Sequence, residues 1–219
     1  MTKKDFSTFF PDNYEQKCLL VLVLDVSRSM DGAPIAELNR SLQDMYKAIE
    51  DDPIASQRVE ISLITFNHIV TTVQEPDLVE NFSMPTLTAS GFNAMVDAVK
   101  EAIDKVTIRK AWYKQAATSH YRPCIILISG GEPDIGQDVD GLASIIETDT
   151  KARKYVFLPV GTQGSNMSIL NRIASSLMPA MPLKTMYLDA LFLWRSVDMA
   201  WEEPLSLPNP DDWKITFTI

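Results

Sequence analysis

The stretch Cys18 to Met30, CLLVLVLDVSRSM, narrows the possible folds more than any other part of this chain. Cys18 to Leu24 are all apolar, with Leu and Val dominating, and then Asp25, Ser27 and Ser29 alternate with other residues. An unbroken apolar run that halts at polar groups predicts a central strand, buried on both faces and ending where a sheet meets solvent. In open α/β sheets that rim, at the carboxyl ends of the strands, is where ligands bind. One carboxylate and two hydroxyls on a single short loop are hard oxygen groups of the kind that suit Mg²⁺.

The remaining chain alternates between helical and strand patterns. Gly32-Ala33-Pro34 opens a helix, with proline in the first turn, where its missing N–H costs nothing. Ile35, Leu38, Leu42, Met45, Tyr46 and Ile49 recur at helical spacing until Asp51-Asp52-Pro53. Val59 to Phe66 alternates, turns at Asn67-His68 and returns through Ile69 to Val73, which predicts a hairpin at the sheet edge. A loop over 84–93 leads into a second helix, with Met95, Val99, Ile103 and Val106 on its core side and its end near Ala116. Cys124 to Ile128 is a second fully apolar strand, followed by the loop Ser129 to Asp134. Leu142, Ile145 and Ile146 belong to a short helix, and Tyr155 to Val160 to a strand. Met167, Leu170, Ile173 and Leu177 belong to a helix capped by Ser165-Asn166. Met186 to Leu188 is expected as a last strand and Leu191 to Trp201 as a final helix.

This alternation predicts an α/β, Rossmann-like, doubly wound fold: a mostly parallel central sheet with one antiparallel edge strand and helices on both faces. Residues 1–16 are read as an ordered aromatic arm, 17–201 as the domain, and 202–219 as a Pro-rich tail docking on it.

Charge limits the partners. With 29 acidic against 20 basic residues the formal net charge is -9, a field that disfavours nucleic acid and anionic membrane surfaces. Met1 to Lys17 has no apolar signal region and no apolar run approaches a membrane span, so a cytoplasmic location is expected. Cys18 and Cys124 fall inside apolar strands and are read as reduced, buried thiols. No nucleophile elbow, phosphate loop or Cys/His metal spacing is present, and neither histidine is placed to serve Ser27 or Ser29 as a base. The chain is therefore not expected to be an enzyme.

Asp25-Val26-Ser27-Arg28-Ser29-Met30, followed by Gly32-Ala33-Pro34-Ile35, resembles the opening of a von Willebrand factor A (VWA) domain. Ile61 to Phe66, Leu87 to Gly91, and Arg122-Pro123 through Gly131-Glu132-Pro133 extend the resemblance, which is nearest to the bacterial, cytoplasmic, tellurium-resistance TerY-like branch. The resemblance implies a protein-binding adaptor or regulatory subunit in a stress system, accompanying a kinase and a PP2C-like phosphatase.

The family's metal ion-dependent adhesion site draws on three loops. The first supplies Asp-x-Ser-x-Ser, complete here as Asp25, Ser27 and Ser29. The second supplies a Thr, whose position is Phe92, and the third an Asp, whose position is Gly130. Loss of one oxygen and one full charge predicts a degenerate site, with no cofactor. The remaining polar groups would then shape the loop, with the Ser27 and Ser29 hydroxyls and backbone N–H groups bonded to Asp25. In the same reading Phe92, Asn93, Arg28, Glu132 and Asp134 form a partner-binding face anchored by Phe92. The alternative is a Mg²⁺- or Mn²⁺-dependent binder that completes its shell from Asp31, Asn93, Glu132 or Asp134.

Overall fold

Residues 18–25 are buried without exception and form strand β1 (Cys18–Asp25). The computed structural model of the protein describes residues 15–183. Strands β2 (Val59–Phe66), β3 (Val70–Leu78), β4 (Cys124–Ser129), β5 (Val156–Gly161) and β6 (Met181–Pro182) join β1 in one sheet, ordered β3-β2-β1-β4-β5-β6. All neighbours pair in parallel except β2 and β3. The sheet is thus mostly parallel with one antiparallel edge, as the alternating pattern predicts.

Strand periodicity divides the core into two layers. Leu20, Leu22 and Leu24 of β1 face helix α1 (Ala33–Asp51), where Leu38, Leu42, Met45 and Ile49 are buried. Leu19, Val21 and Val23 face the other way, against helices α3 (Met95–Gln115), α4 (Val139–Lys151) and α5 (Met167–Ile173). Burying each such aliphatic side chain stabilises the fold by about 1.5–3 kcal/mol, so a strand covered on both faces contributes more than any exposed element can. That is why β1 lies at the centre.

Several details depart from the sequence expectations. Strand β3 continues past Val73 to Leu78, through Pro76, because an edge strand tolerates a residue without an N–H. Ile69 sits in the turn before it, exposed. One helical turn not anticipated, α2 (Ala55–Arg58), precedes β2. Helix α5 stops at Ile173 because Ala174 turns extended; Leu177 lies beyond it, exposed, and Met178 is buried in the layer on the other face of the sheet. A strand not anticipated, Met181–Pro182, pairs with β5. The readings of Met186 to Leu188, Leu191 to Trp201, the tail over 202–219 and most of the arm over 1–16 lie outside the described residues. Cys18 and Cys124 are buried, with no disulfide between them.

At the amino ends of the strands, Glu60 of β2 is buried and accepts two 2.7 Å bonds from Arg109 and one from the Tyr113 hydroxyl. Two charged groups and a phenol thereby satisfy one another inside the fold. Burial, followed by the charge of Glu60, raises the Tyr113 hydroxyl well above its ordinary pKa.

Candidate functional site

The parallel register Leu24↔Ile128 brings the last residues of β1 and β4 side by side at the carboxyl rim. Asp25 is fully buried there. Its Oδ1 accepts the Ser27 N–H at 2.8 Å. Its Oδ2 accepts the Asn93 side-chain amide at 2.8 Å, the Ser129 hydroxyl at 2.6 Å and the Gly130 N–H at 3.2 Å. The carboxylate is therefore ringed by donors from three loops, which offsets the cost of its burial.

The two serine hydroxyls do not complete that ring, contrary to the sequence expectation. Ser27 Oγ and Ser29 Oγ pair with each other at 3.0 Å. The loop folds back in a short 3-10 turn over Arg28–Met30, with the Ser27 hydroxyl against Ser29 Oγ and, at 3.4 Å, the Asn93 amide. Only the backbone N–H of Ser27 reaches Asp25. Ser129, which sequence reading missed, takes the hydroxyl role. The one signal for it was the matching end of two apolar strands, CLLVLVLD and CIILIS.

Asn93 also departs from expectation. It is 3% exposed and so cannot belong to an outward face. Its Oδ1 accepts the Met95 N–H at 3.2 Å, which turns the amide nitrogen towards Asp25 and, at 3.4 Å, towards Ser27 Oγ. The backbone of Asn93 locks the second loop to the third: its N–H donates to Asp134 Oδ2 and its carbonyl accepts the Asp134 N–H, each at 3.0 Å. Gln137 adds a clamp, donating to the Asn93 carbonyl and accepting the Val96 N–H at 2.7 Å.

The other expected face residues are at the surface. Phe92 is 71% exposed, and Arg28, Glu132 and Asp134 are exposed as well. Ile135, adjacent to Asp134 and fully exposed, was missed; the Asn93–Asp134 link brings its loop against that of Phe92. Gly91 holds this loop close to the β2–β3 turn. Its φ is +75°, and a Cβ there would meet His68 Nδ1 at 2.5 Å. A Cβ on Gly130 would lie 3.4 Å from Ser29 Oγ, so position 130 does face the serine pair. Gly131 has φ +72° and sits against the Asn166 carbonyl, where a Cβ would approach to 2.8 Å.

Among the described residues no group of three or more His, Cys, Asp or Glu is placed to hold a metal ion, and no helix is long and apolar enough to cross a membrane.

A mostly parallel α/β sheet whose rim carries Asp-x-Ser-x-Ser defines a Rossmann-like domain with its polar cluster at the strand ends. The chain belongs to the von Willebrand factor type A domain family, whose model matches residues 20–183. In structure it is similar to the vWF domain of the type V pili tip protein Mfa5 from Porphyromonas gingivalis, with a TM-score of 0.60 and 11% identity over 88% of this chain and 99% of that one. It is also similar to proximal thread matrix protein 1 from the mussel byssus, described with a zinc-occupied MIDAS motif: TM-score 0.60, 16% identity, 83% of this chain and 46% of that one. An aerotolerance-related membrane protein from Bacteroides fragilis gives a TM-score of 0.52 at 14% identity, over 80% and 95%. No curated protein matches the chain in sequence. These identities are low enough that the likenesses speak for the fold alone, and the family supports a general role in protein interaction or adhesion.

Proposed function

We propose that this chain is a non-catalytic protein-binding adaptor or regulatory subunit, whose rim recognises a partner by surface fit without a bridging cation. The observation that carries this reading is the amide of Asn93 on Asp25. A cation approaching that carboxylate would meet an N–H donor, and turning the amide over would forfeit the Met95 bond. Four neutral donors engage the Asp25 carboxylate, three of them on Oδ2, and the positions expected to supply a further oxygen and a further charge hold Phe92 and Gly130. One carboxylate with two hydroxyls fits Mg²⁺ poorly, since that ion favours carboxylates as compensating charge. Phe92 and Ile135 offer apolar anchors in place of a metal bridge.

Catalysis finds little support. The exposed His68 lies beside Gly91, and His120 packs on Tyr113 with ring centroids 4.8 Å apart, in the chain leading to the amino end of β4. The finer setting, a bacterial stress or tellurium-resistance system with a kinase and a PP2C-like phosphatase in the cytoplasm, rests on the motif resemblance of Asp25–Met30 and its companion segments.

The rival reading is a Mg²⁺- or Mn²⁺-dependent binder. It is favoured by the Ser27–Ser29 hydroxyl pair, with Ser29 exposed, and by the zinc-occupied motif described for the mussel protein of similar fold. Thermal unfolding across a titration of Mg²⁺ and Mn²⁺ separates the two, because a ligand specific for the native state raises the melting temperature with saturation. The adaptor reading expects no shift at millimolar metal. A saturable rise abolished by Asp25→Ala would replace it with the metal-dependent one.

A further inference from the structure

Charge at the rim is lopsided. Among the described residues, the loops at the carboxyl ends of the strands carry Asp31, Glu132, Asp134 and Asp138, with Arg28 as the opposing cation. The first turns of α3 and α4 add Asp97 and Asp140. Several of these carboxylates have local roles. Asp138 caps α4 by accepting the Gly141 N–H at 2.8 Å, Asp140 pairs with Arg172, and Asp134 holds the Asn93 N–H. Asp31 accepts the Gly32 N–H at 3.0 Å, and a helix dipole favours Asp97 in the first turn. Glu132 has no such role. It is exposed, and its carboxylate makes no hydrogen bond or ion pair with any described residue. Neutral N–H donors satisfy oxygen lone pairs but leave the negative charge uncancelled, so the rim presents a negative field.

That charge borders apolar surface. Phe92 at 71% and Ile135 at 107% are the most exposed large apolar side chains among the described residues. Phe92 precedes Asn93 and Ile135 follows Asp134, and the two 3.0 Å bonds between Asn93 and Asp134 hold their loops against each other. Glu132 stands three residues before Ile135 on the same loop. The bond from the Val96 N–H to Gln137 sets Asp97 close to that loop as well. Arg28 lies to the other side. Its N–H donates to the Gly91 carbonyl at 3.0 Å, so residues 91–93 separate it from Asp134. An acidic segment seated over Phe92 and Ile135 would set like charges together, whereas a basic one would meet opposite charge.

We propose that the partner recognised at this rim is a cationic, apolar-bearing segment of another protein. Its Lys or Arg residues lie beside Glu132 and Asp134, and its apolar side chain rests on Phe92 and Ile135. This inference rests on the protein-binding reading of the rim and adds the chemistry of what binds there. The preference is the reverse of what a bound cation would select, since such a cation attracts carboxylates. Complementary charge speeds encounter and excludes wrong partners, while the apolar contact holds the complex.

The test uses the full chain and three fluorescein-labelled peptides of one length: lysines with two leucines, glutamates with two leucines, and lysines with two serines. Anisotropy is expected to show saturable binding of the lysine–leucine peptide, about tenfold or more tighter than either other peptide and weaker as salt rises. Glu132→Lys should cut that affinity about tenfold through charge opposition. Asp104→Lys, the same change of net charge at an exposed position in the middle of α3, should leave it within about twofold. Ile135→Ser should bring the lysine–leucine peptide down to the level of the lysine–serine one. Melting curves check that each variant is folded, and Glu132→Gln serves if the reversal is not.

Absence of saturable binding overturns the proposal. So does an equal loss in Asp104→Lys and Glu132→Lys, because the peptide would then read net charge alone. Tighter binding of the glutamate peptide, with or without Mg²⁺, that is lost in Ile135→Ser overturns the charge preference and keeps the rim as the docking surface. If no peptide responds to Phe92→Ala or Ile135→Ser, the protein-binding reading of the rim falls with it.

Discussion

The side-chain amide of Asn93 donates to Asp25 Oδ2 across 2.8 Å, joining residues 68 apart in sequence. The bond ties the loop before α3 to the end of β1, and through Asp134 and Gln137 to the loop after β4. The rim is therefore a pre-set surface with its polar interior closed. Truncating Asn93→Ala leaves the Met95 N–H without its acceptor and removes one of three donors from Asp25 Oδ2. A loss of about 1–3 kcal/mol is expected, read as a lower denaturant midpoint at unchanged slope.

Phe92 tests the rim from outside. At 71% exposure it contributes little to folding, so Phe92→Ala should change stability by no more than about 0.5 kcal/mol. Affinity for the cognate partner should fall by about 2 kcal/mol or more, measured by calorimetry. Unfolding on this substitution would show that the ring belongs to the core.

A metal site can be built back as a converse experiment. The direction of a Cβ at Gly130, towards Ser29 Oγ, allows a carboxylate to enter the cluster. Gly130→Asp should create Mg²⁺-dependent stabilisation, seen as a rise of about 3 °C in melting temperature for each kcal/mol gained. The unaltered chain should show none.

At the other end of the sheet, Arg109→Ala takes both guanidinium bonds from the buried Glu60 carboxylate and leaves it the Tyr113 hydroxyl bond. Removing one partner of a buried pair costs about 3–5 kcal/mol. Chemical unfolding should find this variant far less stable than a surface control such as Lys100→Ala.

Glu147 carries a pH signature. Its bond to Lys151, and then those to the Ser176 hydroxyl and N–H, pull its carboxyl from the ordinary 4.5 down to about 2. A depressed carboxylate contributes stability that is present above the ordinary value and lost as pH falls towards the folded one. Melting temperature should therefore decline between about pH 4.5 and about pH 2, and Glu147→Gln should flatten part of that decline.

The chain's own letters determined the architecture. The apolar run of β1, the helical spacing of Leu38, Leu42, Met45 and Ile49, and the second apolar run at β4 each depend on neighbours in sequence, so periodicity reveals them. They also placed Asp25, Ser27 and Ser29 at the rim, because a strand that turns polar must end there. What only tertiary structure decided was which donor meets which lone pair. Ser129 reaches Asp25 across 104 residues because two strands share a register, and Asn93 is buried because its backbone is clamped by Asp134 and Gln137. Hydrogen bonds act over about 3 Å and in fixed directions, so a group's role depends on packing that no local pattern encodes. The same holds for Lys110 of α3, which meets the charges of Lys154 and Arg122 only once β4 and β5 begin side by side.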